Sequence, residues 1–206
     1  MNYYNIIFCF LILAVLKGVC VHGGKEMTCG SAVKLVNIKY NARLHSHDVK
    51  YGSGSGQQSV TGQPAKDDVN SYWIIKGPHG KDCLRGTAIK CGATIRLMHA
   101  ATESHLHSHH FPSPLSHNKE VSCFGGKDKG DHLDNWMVVC NTNRKYWMRD
   151  EQIRLKHVEL ASYLHLTGDV FGRPINGQYE ISGYHATERG NLWKAAEGVY
   201  LTAKKN

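Results

Sequence analysis

The stretch Ala42-Arg43-Leu44-His45-Ser46-His47 decides the fold, because it recurs along the chain. His105-Leu106-His107-Ser108-His109 repeats it 62 positions later, counted from Leu44 to Leu106. Tyr163-Leu164-His165 is a third, weaker copy after a further 58 positions. Self-similarity at a nearly fixed period is the signature of a repeat architecture. The sequence therefore predicts three copies of one structural unit.

Seven landmarks keep the same order in all three copies. They are a leucine nine residues before the central one, the Leu-His pair, an aromatic residue, an amide, a β-branched residue, a Gly-containing polar loop and a tryptophan. Apart from the Leu-His pair and the loop, these landmarks are, in copy order, Leu35, Leu97 and Leu155; Tyr51, Phe111 and Phe171; Gln57, Asn118 and Gln178; Val60, Val121 and Ile181; and Trp73, Trp136 and Trp193. The central leucine and the tryptophan are 29, 30 and 29 residues apart. This constancy predicts that the copies share one backbone path.

Each copy has the pattern of short antiparallel strands. Leu44 and Ser46 alternate with His45 and His47, which is the period of a strand with one face in and one face out. Gly-rich stretches such as 52–56 are turns between strands, and we count about four strands per copy. One such unit cannot bury its apolar face alone, whereas three that close on each other can. The sequence therefore predicts an all-β protein, a β-trefoil with pseudo-threefold symmetry and a shared core of leucines and tryptophans.

The predicted organisation is a signal peptide followed by one domain. Ile6 to Leu16 is an apolar run that is too short to cross a bilayer and is typical of the hydrophobic region of a signal peptide. We predict a signal peptide at residues 1–23 and repeats at residues 24–84, 85–143 and 144–201. No other run is long and apolar enough for a membrane span.

Secretion would allow disulfide bonds in the mature chain. Cys29 and Cys91 each stand six residues before the first leucine of their copies, while Cys83 follows Trp73 and Cys140 follows Trp136. The first and last strands of a trefoil unit lie side by side, so we predict the pairs Cys29–Cys83 and Cys91–Cys140. Cys123 has no equivalent and is predicted to be a buried thiol.

The formal net charge of +8 and the isoelectric point of about 9.1 describe a basic protein. Its lysines and arginines are scattered rather than clustered, and behind a signal peptide nucleic acid is not an expected partner. The charge instead predicts a solvated surface with a patch for an acidic protein partner.

His45, His47, His107 and His109 form the candidate ligand or partner surface. Pairs on one strand face could clamp a metal, but we identify no carboxylate that recurs with them as a metal site would need. The sequence therefore predicts structural histidines, no metal and no cofactor. It contains no catalytic constellation of the Ser-His-Asp or paired-carboxylate kind. Sugar-binding trefoils often carry Gln-x-Trp, whereas Ser71, Asp134 and Asn191 stand two residues before the tryptophans here.

Several motifs also resemble a known family. Arg43-Leu44-His45-Ser46-His47-Asp48, the run from Tyr51 to Gly62, Ser113-Pro114-Leu115-Ser116 and Gly172-Arg173-Pro174-Ile175 are similar to the stromal cell-derived factor 2 family. The resemblance extends from Thr28 to Leu201. That family consists of three MIR motifs folded as a β-trefoil, and the same motifs occur in protein O-mannosyltransferases.

The resemblance implies a non-enzymatic protein of the endoplasmic-reticulum lumen. Its expected partners are the luminal Hsp70 machinery with its J-domain co-chaperone, or an unfolded client protein, in folding quality control. Glycan binding, to O-mannosylated or other glycans, is the alternative that the mannosyltransferase motifs imply. Animal members end in a His-Asp-Glu-Leu-type retention signal, whereas this chain ends Lys204-Lys205-Asn206. Retention would then need a partner, or the protein is secreted.

Overall fold

The described part of the chain forms twelve short antiparallel strands. The computed structural model describes residues 25–127 and 129–204, so the predicted signal peptide lies outside the described residues. The strands are β1 (Ala32–Asn37), β2 (Arg43–Lys50), β3 (Gln58–Gln63), β4 (Trp73–Lys76), β5 (Thr94–His99), β6 (His105–Pro112), β7 (Lys119–Phe124), β8 (Trp136–Cys140), β9 (Ile153–His157), β10 (Tyr163–Val170), β11 (Tyr179–Tyr184) and β12 (Trp193–Val199). Each third of the chain therefore supplies four strands, which confirms the count from sequence. Short 3₁₀ turns precede β4, β8 and β12, at Val69–Ser71, His132–Asp134 and Arg189–Asn191.

Six strands close a barrel. Each copy pairs its own first and last strands, β1 with β4, β5 with β8 and β9 with β12. The copies join through β4 with β5, β8 with β9 and β12 with β1. The ring is complete, so no barrel strand leaves a long unpaired edge.

Three hairpins cap one end of the barrel. They are β2–β3, β6–β7 and β10–β11, and their second strands also pair with one another, β3 with β7, β7 with β11 and β11 with β3. A barrel with a triangular hairpin cap is a β-trefoil, so the predicted fold class is confirmed.

The opposite end of the barrel is closed by a ring of backbone hydrogen bonds. The N–H of Met27 donates to the carbonyl of Trp147 at 2.8 Å, that of Ile89 to Met27 at 2.9 Å, and that of Trp147 to Ile89 at 2.9 Å. All three side chains are buried. They stand eight residues before Leu35, Leu97 and Leu155, and they are a further repeated position that the sequence analysis missed.

The core consists of the repeated apolar residues, as predicted. Trp73, Trp136 and Trp193 are fully buried, as are the leucines and β-branched residues of each copy. Each indole Nε1–H donates to the carbonyl of the central leucine of its own copy, at 2.8 Å to Leu44, 2.9 Å to Leu106 and 2.9 Å to Leu164. A buried tryptophan needs such an acceptor, which explains the constant spacing between these two residues.

The repeated amides tie each hairpin to its neighbour. Ser122 donates its hydroxyl hydrogen to Gln57 Oε1 at 2.6 Å, and Asn118 Nδ2 donates to Ser182 at 3.1 Å. Thr61 donates to Gln178 and so completes the cycle. Each bond crosses from one copy to another, so these polar side chains set how the three hairpins are oriented.

One predicted landmark is wrong. Tyr51 and Phe171 are buried in the cap, but Phe111 is 51% exposed on β6 and contacts the ring of His109. Tyr51 and Phe171 each stand seven residues after the central leucine of their copy. In the second copy that position is Ser113, which is buried and is therefore their true counterpart. The sequence comparison matched residue type instead of spacing, and a shift of two residues moved the aromatic side chain along the strand.

Both predicted disulfides are present. Cys29 bonds to Cys83 and Cys91 bonds to Cys140, with Cα–Cα separations of 6.0 and 5.6 Å. Cys123 is a buried free thiol, as predicted.

Candidate functional site

An acidic side chain faces the histidine of each Leu-His pair. His45 Nδ1 lies 2.7 Å from Asp68, His107 Nδ1 lies 2.9 Å from Asp134, and His165 Nε2 lies 3.5 Å from Glu188. The prediction that no carboxylate recurs with the histidines is therefore wrong. The missed signal is an acidic residue five positions before each tryptophan: Asp68, Asp131 and Glu188.

The 3₁₀ turns hold these acids against the barrel. Asp68 and Glu188 are the residues that precede their turns. Asp131 forms a capping box, because its carboxylate accepts from the turn backbone and Asp134 accepts from the N–H of Asp131 at 2.9 Å. Asp131 and Asp134 therefore cap this turn, and His107 is bonded to the capping side chain of Asp134.

Three of the four candidate histidines are nearly inaccessible. His45 and His107 are 3% exposed and His109 is 8% exposed, while His47 is half-buried. His45 Nε2 contacts His47 Nδ1 at 2.6 Å, and His109 Nε2 contacts the buried carboxylate of Glu120 at 3.0 Å. These contacts fit the structural role, since each ring joins strands or loops. Partner contact at this surface stays a prediction, for which His47 is the most accessible of the four.

A second set of buried histidines ties neighbouring copies together. His99 Nε2 donates to the carbonyl of Asn70 at 2.9 Å, and His157 Nε2 donates to the carbonyl of Leu133 at 2.8 Å. In the first copy Asn37 has this role and donates to Gly190 at 2.7 Å. Each acceptor stands three residues before a core tryptophan, so the bonds fix the 3₁₀ turns to the adjacent repeat.

Burial lowers the pKa of both His99 and His157 from the usual 6.5. Below pH 6.5 the unfolded chain takes up protons that the folded chain does not, so stability falls as the pH falls. Although burial raises the pKa of Glu120, hydrogen bonds from His109 and Ser55 hold it below 4.5. Acid sensitivity between pH 6.5 and 5 therefore arises mainly from the histidines.

We predict that His99→Asn combined with His157→Asn reduces this acid sensitivity. Asn37 shows that asparagine can donate the same bond in the same place, and asparagine does not titrate. Each histidine contributes at most about 1.4 kcal/mol per pH unit to the slope. Urea unfolding should show that the free energy of unfolding falls less between pH 7.5 and pH 5 in the variant than in the native protein. An equal fall in the free energy of unfolding in both proteins would contradict the assignment of the acid sensitivity to these histidines.

A cleft of about 490 Å³ lies beside the Cys29–Cys83 disulfide. Its apolar lining includes Ile74, Met98, Val199 and Leu201. Its wall is formed by sequence-distant segments around β1, β4, β5 and the end of β12, which meet only because the barrel closes.

The charged side chains of the cleft are mostly basic. Lys76, Lys81, Arg85 and Arg96 line it, against a single acidic residue, Asp82. None of the four cations forms a salt bridge with a carboxylate in the described part of the chain. Lys81 and Arg85 are exposed, while Lys76 and Arg96 are half-buried. A basic cleft with an apolar floor suits a partner segment that carries acidic and apolar side chains.

Comparison with known proteins agrees with the fold and the repeats. Residues 35–169 match the MIR domain family, so the molecule is a MIR-domain β-trefoil. Human stromal cell-derived factor 2 is 55% identical over 175 residues, which cover 85% of this chain and 82% of the human protein. The chain belongs to the stromal cell-derived factor 2 family.

Solved structures lead to the same family. The crystal structure of the SDF2-like protein from Arabidopsis thaliana superposes with a TM-score of 0.85 at 48% identity, covering 87% of this chain and 99% of that one. A Caenorhabditis elegans protein, described as having unknown function, gives 0.82 at 50% identity and covers 85% of this chain and 98% of that one. Neither the MIR domain nor this family is a class of enzymes. The family and the two disulfides indicate a secretory-pathway protein. Among the described residues, no helix is long and apolar enough to cross a membrane.

Proposed function

We propose that the protein is a non-enzymatic adaptor of the endoplasmic-reticulum lumen, which binds the luminal Hsp70 machinery through its J-domain co-chaperone and acts in folding quality control. Family membership supports the proposal, because this is the role that the resemblance implies. The observation that carries it is the basic cleft at the side of the barrel. Four cations that form no salt bridge among the described residues surround an apolar floor, and this arrangement suits an acidic, partly apolar segment of a protein.

The rigidity of the scaffold also supports an adaptor. Two disulfides, a closed barrel and the cross-copy hydrogen bonds hold the cleft in one shape. A preorganised surface loses little conformational entropy on binding. Such a domain can present a fixed docking site while it performs no chemistry itself.

Charge reversal at the cleft rim is expected to weaken partner binding. Lys81→Glu with Arg85→Glu should lower the affinity for a purified luminal J-domain co-chaperone by at least about tenfold, since both side chains are exposed and unpaired. Lys50→Glu with Lys194→Glu changes the net charge equally at exposed sites outside the cleft and serves as the control. Surface plasmon resonance on the full mature chain measures both.

Raised salt should weaken native binding and leave the rim variant almost unaffected, because screening acts on the interaction that the variant has lost. The adaptor proposal fails if the native chain binds neither the co-chaperone, nor the luminal Hsp70, nor an unfolded client. Equal weakening by the rim and control variants would remove the cleft as the docking site.

Glycan binding is the alternative function. The MIR motif of O-mannosyltransferases supports it, but all three core tryptophans are buried and cannot stack on a sugar. A glycan site would need exposed aromatic residues such as Phe111 and Phe124, which are 51% and 36% exposed. A glycan array probed with the native chain separates the two functions. A specific hit that Phe111→Ala abolishes would favour the alternative.

A further inference from the structure

A group of metal-ligand side chains lies beside the second Leu-His motif. One donor atom each from His107, Asp131 and Asp134 lie within 4.8 Å of one another. His107 Nδ1 is 2.9 Å from Asp134 Oδ1 and 3.7 Å from Asp131 Oδ1. The side chain of Asp134 is completely buried. Two carboxylates thus share one imidazole, and a buried negative charge needs a cation or a metal as its partner.

His105 is a further potential donor on the same strand face, outside the group of three whose atoms lie within 4.8 Å of one another. It stands two residues before His107, so its side chain leaves β6 on the same side. It is fully buried, and neither ring nitrogen has a hydrogen-bond partner among the described residues. A methyl group at Gly130 would lie 3.4 Å from His105 Nδ1 and would collide with Asp134 Oδ2. The ring nitrogen and the carboxylate therefore border the same small space.

The other two repeats serve as an internal comparison. The residue before the central leucine is Arg43 or Tyr163 where the second repeat has His105. The residue two before the tryptophan is Ser71 or Asn191 where the second repeat has Asp134. Both departures from the repeat introduce a metal ligand. In the first repeat the hydroxyl of Ser71 donates to Asp68, whereas the second repeat has the carboxyl group of Asp134 in place of that hydroxyl.

We propose that His105, His107, Asp131 and Asp134 form a binding site for a divalent transition-metal ion, with zinc as the best fit. Two imidazole nitrogens and two carboxylate oxygens suit zinc, which binds such ligands in tetrahedral geometry. Magnesium and calcium prefer oxygen alone. Before the ion binds, Nδ1–H of His107 donates to the carboxylate of Asp134 at 2.9 Å. On binding, Nδ1 loses this proton to solvent and Nε2 takes one up, so the ring changes tautomer and the Nδ1 lone pair coordinates the metal. Asp131, whose side chain is 39% exposed, lines an open groove that gives the ion access.

Titration of the chelator-treated native chain with zinc chloride tests the site directly. Isothermal titration calorimetry should give one ion per chain. His105→Asn with Asp134→Asn should weaken binding by about a hundredfold or more. The fold should tolerate Asp134→Asn, because Asn191 makes the matching backbone contact in the third repeat, where it accepts from Glu188 N–H at 3.0 Å. Unfolding of both metal-free proteins in urea checks this.

The control is His47→Thr. Threonine is the residue that the third repeat has at the equivalent position, and the change removes one histidine of the pair in the first repeat. This variant should bind zinc as the native chain does. Cobalt substitution adds a spectroscopic readout, since a four-coordinate site gives intense visible absorption that the double variant should lose. Absence of stoichiometric zinc binding, or unchanged affinity in the double variant, would overturn the site. Loss of binding in His47→Thr would overturn it too, by assigning the metal to the first repeat.

Discussion

Replacement of Trp136 by alanine is expected to lower the free energy of unfolding by about 4 kcal/mol. The indole is fully buried between the barrel and the hairpin cap, so its removal leaves a large cavity. The carbonyl of Leu106 also loses its hydrogen-bond donor at 2.9 Å. Both losses occur at a position where the hairpin joins the barrel, and neither can be repaired by a small shift. Urea unfolding followed by circular dichroism measures the change.

Trp136→Phe separates the two losses. Phenylalanine keeps most of the apolar contact, so the remaining cost of about 1–3 kcal/mol reports mainly the unsatisfied carbonyl of Leu106. Val158→Ala is the matched control, because Val158 is 47% exposed and its truncation should cost less than about 0.5 kcal/mol. A cost of under about 1 kcal/mol for Trp136→Ala would contradict the shared core.

The pseudo-threefold symmetry extends this expectation to Trp73 and Trp193. Each is buried to the same degree and makes the same bond to the central leucine of its copy. Alanine at either position should therefore cost a similar amount. Strong asymmetry among the three would show that the repeats are alike in backbone path but not in energetics.

The fold was predictable because its determinants recur in residue type and in spacing. The leucines and tryptophans hold their positions in all three copies, and Cys29 and Cys91 hold equivalent positions in the first two. Each of these residue types has one dominant structural use. The ring of Met27, Ile89 and Trp147 recurs in spacing only. Its members share apolar character, and their backbone bonds leave no mark on residue type. Comparison by residue type could not find it.

The site was less predictable, for two physical reasons. The carboxylates that face the histidines differ in kind, and in the second repeat Asp134 takes the contact that Asp68 makes in the first. The basic cleft joins segments around Ala32, Lys81 and Val199, which are far apart in sequence. Its four cations lie between Lys76 and Arg96, but the apolar floor beneath them includes Ala32 and Val199, which closure of the barrel brings against β4 and β5.

Loss of the Cys91–Cys140 disulfide should cost about as much as loss of a core tryptophan. The bond closes a loop of 49 residues, and loop-closure entropy predicts a loss of about 4 kcal/mol for Cys91→Ala with Cys140→Ala. The Cys29–Cys83 bond closes 54 residues. Because the loop-closure entropy depends on the logarithm of loop length, removal of the Cys29–Cys83 bond should lower the free energy of unfolding by nearly the same amount. Urea unfolding under non-oxidising and non-reducing conditions compares the two variants.

Cooperativity provides the sharper test. Each disulfide lies within one repeat, but every barrel strand pairs with a strand of a neighbouring repeat. Removing one bond should therefore shift a single unfolding transition of the whole domain without splitting it. Cys123→Ala, which affects a buried thiol outside both bonds, is the control and should cost less. A separate, early transition in the variant that lacks Cys91–Cys140 would mean that the second repeat unfolds alone, which a closed trefoil with a common core does not allow.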